Sequence, residues 1–160
     1  MTTSTQKPIK TKEVFEKELK ISNANILGMA IFTLVNIFLI VCNIDSYFPF
    51  TASVPSYLVL FFSELCGMRG AEFYEAYNGP DWQSFEFLPG GVFYAVVAIA
   101  VLMAGVYFAL WYFSKKKKAF LTVLMVLYSI DAFGLLVFNT LVFAFDLSVV
   151  LELAFHAWVF

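Results

Sequence analysis

Long apolar stretches separated by short polar ones divide this chain into pieces of membrane-spanning size. Three stretches, at about 22–44, 91–113 and 119–145, consist mainly of aliphatic and aromatic residues. A helix needs about 20 such residues to cross the ~30 Å hydrocarbon core of a bilayer. The pattern therefore predicts three transmembrane helices.

Two further apolar stretches are shorter. Residues 147–160 follow Asp146 and are too few to span, which predicts an incomplete fourth span that starts from an outer turn. Residues 54–68 have the length typical of a re-entrant or interfacial helix, and they lie in a turn-rich region at 45–90. The predicted fold class is an all-α integral membrane protein. It is a small polytopic helix bundle with three clear spans, a partial fourth, and a re-entrant or interfacial helix on the outer face.

Four consecutive lysines between two predicted spans set the orientation: Lys115, Lys116, Lys117 and Lys118. Lys and Arg beside membrane spans concentrate on the cytoplasmic side, so 114–118 is predicted as a cytoplasmic loop. If 54–68 crossed the membrane, this loop would lie outside, and we therefore predict that it does not cross. We expect the four lysines to contact anionic lipids at the cytoplasmic face of the cell membrane.

Residues 1–21 are predicted as a cytoplasmic tail that precedes a single membrane domain at 22–160. Charged and apolar positions at 11–20 alternate as in a short amphipathic helix, which would lie on the membrane surface. The alternative is a frayed, solvated segment that precedes the first span. Ser22 and Asn23 are candidates to cap the start of the first span. The tail is too long and too acidic for the basic region of a signal peptide.

Composition supports the membrane class and excludes others. Of the 160 residues, 61% are hydrophobic and 14% are charged, whereas soluble domains average about 25% charged residues. The sequence has no basic stripe with interleaved aromatic residues, so we expect no nucleic-acid partner. The Lys-rich, Phe-rich and Arg-poor usage is compatible with an AT-rich bacterial genome.

The two cysteines do not form a recognisable metal motif. Cys42 and Cys66 lie in or beside apolar segments, where such residues usually pack as small hydrophobes. A disulfide on the outer side is the alternative. No Cys/His cluster has zinc-ligand spacing, and the cofactor is unknown, since no cofactor is strongly implied by the sequence.

One face of the second predicted span carries small residues. Its positions follow alternating steps of four and three: Gly91, Ala95, Ala98, Leu102, Gly105 and Ala109. Membrane helices approach one another closely along small residues, so the pattern predicts a packing seam. The partner helix belongs either to this chain or to another subunit of a homo- or hetero-oligomer.

Four polar residues lie at predicted membrane depth near the end of the chain: Asp131, Asn139, Glu152 and His156. Ionisable groups at this depth are costly, and they are candidates for function. With a rise of about 1.5 Å per residue from an outer turn at 146, Asn139 and Glu152 lie level across a hairpin. By the same measure, His156 lies ~7 Å from the depth of Asp131.

Several roles are open for this polar set. It forms a hydrogen-bonded clamp that fixes the hairpin, an ion or proton relay, or a metal site with open positions. A catalytic site with His156 as the base is a further alternative. An intramembrane protease that pairs His156 with Ser53, Ser56 or Ser63 is formally allowed, although no GxSx motif supports it.

The outer region contains a charged cluster around two glycines: Glu64, Arg69, Glu72 and Glu75. We expect a solvated acidic face, with loose cation binding by Glu72 and Glu75 as the alternative. Arg69 is the only arginine in the chain. We predict that it pairs with one of these acids or with a lipid phosphate.

Three function hypotheses follow. The leading one is a non-enzymatic subunit or binding partner in a membrane assembly, based on the small-residue seam and the incomplete last span. The second is an ion- or proton-coupled transporter component that uses Asp131, Glu152 and His156. The third is an intramembrane enzyme or metalloprotein.

Overall fold

The structure is a computed structural model that describes residues 12–141 and 147–158, and within them it is all-helical, without strands. Three of its helices are long and apolar enough to cross a membrane, as the sequence predicts. A 3-10 helix at Pro80–Ser84 lies between the third and fourth of six α-helices. These are α1 (Lys12–Val41), α2 (Ser53–Leu65), α3 (Ala71–Asn78), α4 (Gly90–Ser114), α5 (Lys118–Leu141) and α6 (Leu147–Trp158).

The first helix begins earlier than predicted. α1 runs for 30 residues without a break, so the charged stretch and the first apolar stretch belong to one helix. The prediction that Ser22 and Asn23 cap a separate span is wrong. No Gly or Pro separates the two stretches, and the Asn23 amide donates to the Leu19 carbonyl at 2.9 Å, one turn earlier in the same helix. The tail at 1–11 lies outside the described residues.

The long helices α1 and α4 run in opposite directions. The Trp111 indole, near the end of α4, donates to the Asn23 carbonyl in the first half of α1 at 2.8 Å. We call this end of the bundle, where 115–118 lie, the lysine end, and the opposite end the far end. α4 packs against both α1 and α5, and the shorter α2 contacts all three.

Two apolar clusters fill the bundle. The first contains Ile26, Met29, Ala30, Ala52, Tyr107, Leu124 and Tyr128. The second, closer to the far end, contains Ile37, Ile40, Val59, Cys66, Phe93 and Ala100. On α1, the buried polar residues Thr33 and Asn36 lie between the two clusters.

The segment between α1 and α2 turns back along α1. The Asn36 amide donates to the Phe48 carbonyl and accepts from the Phe48 N–H, both at 2.9 Å. The Thr33 hydroxyl, about one turn further from the far end, accepts from the Ala52 N–H at 2.8 Å. The chain therefore descends beside α1, and α2 begins deep inside the bundle with Ser53 fully buried.

The other end of α2 is closed by a local aromatic cluster. Gly67, with φ of 68°, reverses the chain, and a Cβ there would lie 3.0 Å from the ring of Phe87. Tyr74 of α3 donates to the Glu64 carbonyl at 2.9 Å, and its ring packs against Trp82. Burial raises the pKa of the Tyr74 hydroxyl, which keeps this group a donor.

The helix α4 does not use its predicted seam inside the bundle. Its buried face contains Phe93, Ala100, Ala104 and Tyr107, where two alanines allow close approach to neighbouring helices. All six seam positions are exposed within the described part of the chain, and Leu102 is 70% exposed. The alternative that the seam packs against a helix of this chain is therefore wrong for the described residues.

Candidate functional site

The buried N-terminus of α2 is bound by a carboxylate from α5. Asp131 Oδ2 accepts from the Ser53 N–H at 2.6 Å, and Oδ1 accepts from the Val54 N–H at 3.0 Å. The first N–H groups of a helix have no partner within the helix, and its dipole favours a negative charge there. Gly134, one turn after Asp131, permits the approach, since a side chain there would overlap Val54.

His156 joins this arrangement from α6. Its Nε2 lies 2.9 Å from Asp131 Oδ2, and its Nδ1 lies 2.8 Å from the Glu152 carbonyl. A carbonyl only accepts, so Nδ1 carries a proton. Because Asp131 also accepts two backbone N–H bonds, we assign a second proton to Nε2, which makes the pair an imidazolium and a carboxylate.

The ring of Tyr128 supports this charge assignment. It stacks on the His156 ring with centroids 4.2 Å apart and an interplanar angle of 11°. The face of an aromatic ring attracts a cation, so the stacking favours the imidazolium.

The Ser53 hydroxyl links this pair to a second carboxylate. Ser53 Oγ donates to Glu152 Oε2 at 2.8 Å, and the Tyr57 hydroxyl lies 3.4 Å from Oε1. Glu152 is only 1% exposed. The backbone of Ser53 thus binds one carboxylate and its side chain binds the other. We call Asp131, His156, Ser53 and Glu152 the polar network.

A cavity of about 540 Å³ adjoins the polar network on the side of the far end. Its mouth carries an ion pair between Arg69 Nη2 and the exposed Asp45 at 3.0 Å. Its floor includes Glu152 and Ser56, both buried, and the Ser56 hydroxyl has no hydrogen-bond partner among the described residues. The walls are aliphatic and aromatic, and they include Ile40, Ile44, Tyr47, Tyr57, Leu60 and Leu151.

The structure brings together three of the four predicted polar residues. Asp131, Glu152 and His156 belong to the polar network, and Asp131 and His156 are directly hydrogen-bonded. Asn139 is buried but donates to the Leu135 carbonyl of its own helix at 2.9 Å, outside the network. The predicted turn at 146 lies outside the described residues.

Two of the sequence alternatives lack the geometry that they require. Among the described residues, no three His, Cys, Asp or Glu side chains converge as a metal site needs. Both ring nitrogens of His156 have partners, and none of the three candidate serines is hydrogen-bonded to the imidazole. Ser53 donates to Glu152, Ser63 donates to the Leu60 carbonyl, and Ser56 has no partner among the described residues. The geometry therefore supports neither a metal centre nor a serine nucleophile activated by His156.

The charged cluster at the far end has a different arrangement from the predicted one. Arg69 pairs with Asp45 rather than with Glu64, Glu72 or Glu75, so the predicted pairing with one of these acids is wrong. Contact of Arg69 with a lipid phosphate stays a prediction. The reversal after α2 returns Arg69 to the end of α1, whereas Glu72 and Glu75 point into solvent from α3.

The two cysteines are free thiols, and Cys66 is buried. The alternative of a disulfide between Cys42 and Cys66 is therefore wrong in this structure.

The lysines at 115–118 are all exposed. The ammonium of Lys115 lies 3.5 Å from the centroid of the Trp111 ring, and that of Lys116 lies 5.0 Å from the centroid of the Tyr112 ring. These aromatic contacts keep the two charges close to the end of α4. Contact with anionic lipids stays a prediction.

Sequence reasoning missed several residues that build the site. Thr33 and Asn36 could have been identified from the sequence, because they are polar residues on one face of an apolar helix. Tyr128 lies one turn before Asp131 and shares its face. Ser53 was considered only as a serine nucleophile, and its actual role was missed because that role depends on where α2 begins in the bundle.

Comparison of the chain with protein-family models, curated proteins and solved structures found no match. Function is therefore inferred from the site, without support from a relative.

Proposed function

We propose that this protein is a membrane-embedded carrier component that binds a small solute in the cavity and couples binding to proton movement through the polar network. This proposal rests on the location of Glu152. The side chain lines the cavity, and it also accepts a hydrogen bond from Ser53 of the polar network. Ionisable groups at membrane depth commonly mark ion and proton pathways.

The proposed topology places α1, α4 and α5 across the cell membrane of a bacterium, with the N-terminus and the lysine end in the cytoplasm. In this topology α2 is a re-entrant helix, and its N-terminus lies near mid-bilayer. Non-helical backbone is tolerated at that depth when protein groups bind it, as Thr33 and Asn36 do. The lysines at 115–118 then contact anionic lipids, and the cavity opens to the outside.

Broken helices of this kind supply binding sites in many transporters, where a helix N-terminus faces an anionic substrate group. Here Asp131 already occupies that position. The proposed solute therefore binds beside Glu152. A buried carboxylate is stable only when it is protonated or paired with a cation or a hydrogen-bond donor. The solute and a proton therefore compete for the Glu152 carboxylate, which couples the binding of one to the release of the other.

Proton flux into liposomes tests this proposal. Purified protein is reconstituted with an entrapped pH-sensitive dye, a pH gradient is imposed, and valinomycin with potassium clamps the voltage. We expect the carrier to leak protons through the network even without its solute, so wild-type vesicles dissipate the gradient several-fold faster than empty vesicles. Glu152→Gln and Asp131→Asn are expected to remove most of this difference. Ser129→Ala, an exposed change on the same helix as Asp131, is the control and retains the flux. Equal rates for wild type and Asp131→Asn contradict the proposal.

A second candidate function is that of a non-enzymatic subunit in a membrane assembly. The specific observation in its favour is that the small-residue face of α4 is wholly exposed. Ala98→Trp is expected to dissociate an oligomer that forms through this face, as measured by light scattering in detergent. A strictly monomeric particle in several detergents contradicts this function.

A further inference from the structure

We propose that the cavity binds an organic ammonium ion, with Glu152 as its counter-ion. This inference rests on the proposed function, because it names the class of solute that the carrier takes. Two features of the cavity floor point to such a ligand. One is a buried carboxylate whose hydrogen-bond partners are uncharged, and the other is a buried hydroxyl without a partner.

The charges around the cavity favour a cation. The side chains that stabilise the Glu152 carboxylate by hydrogen bonds are the hydroxyls of Ser53, Tyr57 and Tyr47, all of them uncharged. His156 also attracts Glu152, but one imidazolium does not balance two carboxylates. The ring of His156 is already bonded to Asp131 and to a backbone carbonyl. An ionised carboxylate in a buried site is costly without a cationic partner, and a cation in the cavity supplies one.

Arg69, the cation at the cavity mouth, is paired with Asp45. Its charge is therefore committed to a carboxylate at the surface. The floor of the cavity carries a negative group, and the mouth is close to neutral. A ligand whose positive charge enters first matches this distribution.

Ser56 identifies the kind of cation. Its side chain is fully buried, it lines the cavity, and its hydroxyl is unpaired among the described residues. Buried polar groups in proteins nearly always have a hydrogen-bond partner. An ammonium with N–H groups donates to both the Ser56 hydroxyl and the Glu152 carboxylate, whereas a quaternary ammonium has no N–H to donate.

The walls require that the rest of the ligand be apolar. Leu60 and Leu151 provide aliphatic surface, and the rings of Tyr47 and Tyr57 meet edge to face with centroids 6.2 Å apart. Aromatic faces attract organic cations. The volume of about 540 Å³ lies within the range of small-molecule sites. Among the described residues, no three acidic, His or Cys side chains converge, so the cavity lacks the ligand set of a dehydrated transition-metal site.

Binding of three matched probes tests the inference. The protein is placed in lipid nanodiscs, and calorimetry measures the affinity for 2-phenylethylamine, for the neutral 2-phenylethanol and for the anionic phenylacetate. We expect the amine to bind about tenfold more tightly than the alcohol, since hydrogen bonds to charged groups are the stronger ones. Glu152→Gln is expected to lower amine affinity by about tenfold, and Ser56→Ala by a few-fold.

A pair of neighbouring substitutions keeps the test valid if Glu152→Gln does not fold. Leu151 and Val150 are adjacent on α6 and 50% and 48% exposed, but only Leu151 lines the cavity. We expect Leu151→Trp to fill the cavity and abolish amine binding, and Val150→Trp to preserve it. Equal affinities for amine and alcohol, tighter binding of phenylacetate, or full amine binding by Leu151→Trp would each overturn the inference.

The binding measurement uses no gradient, so it separates the two proposals. Proton flux that depends on Glu152, without a preference for the amine, overturns the ligand class and leaves the proposed function intact. Selective amine binding without any proton flux overturns the proposed function and leaves the ligand class intact.

Discussion

Both ends of α2 are hydrogen-bonded by side chains from outside the helix, but these partners come from different distances along the chain. The N–H groups at the start of α2 are bound by Asp131, which lies 78 residues from Ser53. Near the other end, the Glu64 carbonyl is bound by the hydroxyl of Tyr74, only 10 residues away. The first end depends on the assembly of three helices, whereas the second is formed locally.

The two ends also differ in charge. A carboxylate and an imidazole meet at the start of α2, while a neutral hydroxyl in an aromatic cluster closes its end. Removing one member of a buried ion pair leaves an unpaired charge, which costs far more than one lost neutral hydrogen bond. The chemistry that we propose therefore occurs at the end of α2 that is the more costly to disturb.

The largest effect is expected at Asp131. Asp131→Ala leaves two N–H groups of α2 unbonded and the imidazolium without its partner, so the free energy of unfolding falls by about 3 kcal/mol or more. Denaturant unfolding in detergent micelles measures this, with Ser129→Ala as the exposed control on α5. A loss no larger than that of the control contradicts the role of Asp131 at the start of α2.

A smaller loss is expected for His156. His156→Phe keeps a ring against Tyr128 but removes the hydrogen bond to Asp131, which costs about 2 kcal/mol. The cost is smaller than for Asp131→Ala because the Asp131 carboxylate keeps its two backbone N–H bonds. The double variant with Asp131→Asn should lose less than the sum of the two single losses, because the residues are in contact. Strict additivity would show that the two side chains do not interact.

The local end of α2 should respond weakly. Tyr74→Phe removes one neutral hydrogen bond and keeps the aromatic packing, so we expect a loss of about 1 kcal/mol. Proton flux should equal that of the wild type, because Tyr74 lies outside the polar network and the cavity. A loss as large as that of Asp131→Ala removes the distinction between the two ends.

The smallest effect on stability is expected at Glu152. Glutamine fills the same volume and still accepts from the Ser53 hydroxyl, so Glu152→Gln should change the free energy of unfolding by less than about 1 kcal/mol. Its amine binding should nevertheless fall, as measured in the same preparation. A large loss of stability would assign Glu152 a structural role instead.

Part of this arrangement was predictable from local sequence. The three long helices follow from apolar runs of spanning length, and Asp131, Glu152 and His156 stand out as ionisable residues in apolar surroundings. The start of α2 beside Asp131 could not be predicted. It depends on the descent of the chain along α1, which is a property of the whole bundle.

The face of α4 that packs inside the bundle could not be predicted from the spacing of small residues either. Small residues occupy both the exposed seam and the buried face, where Ala100 and Ala104 lie. A spacing rule identifies small-residue faces, but it does not choose between two of them. The buried face differs from the seam in that it also carries two aromatic residues, Phe93 and Tyr107.

The imidazole of His156 is held between the Glu152 carbonyl and the Asp131 carboxylate. His156 is the only histidine in the chain, so ¹⁵N labelling of histidine reports on this one ring. We predict a spectrum with a proton on Nδ1, and an Nε2 resonance that moves in Asp131→Asn. An unprotonated Nδ1, or identical spectra for wild type and Asp131→Asn, would contradict this position of the ring.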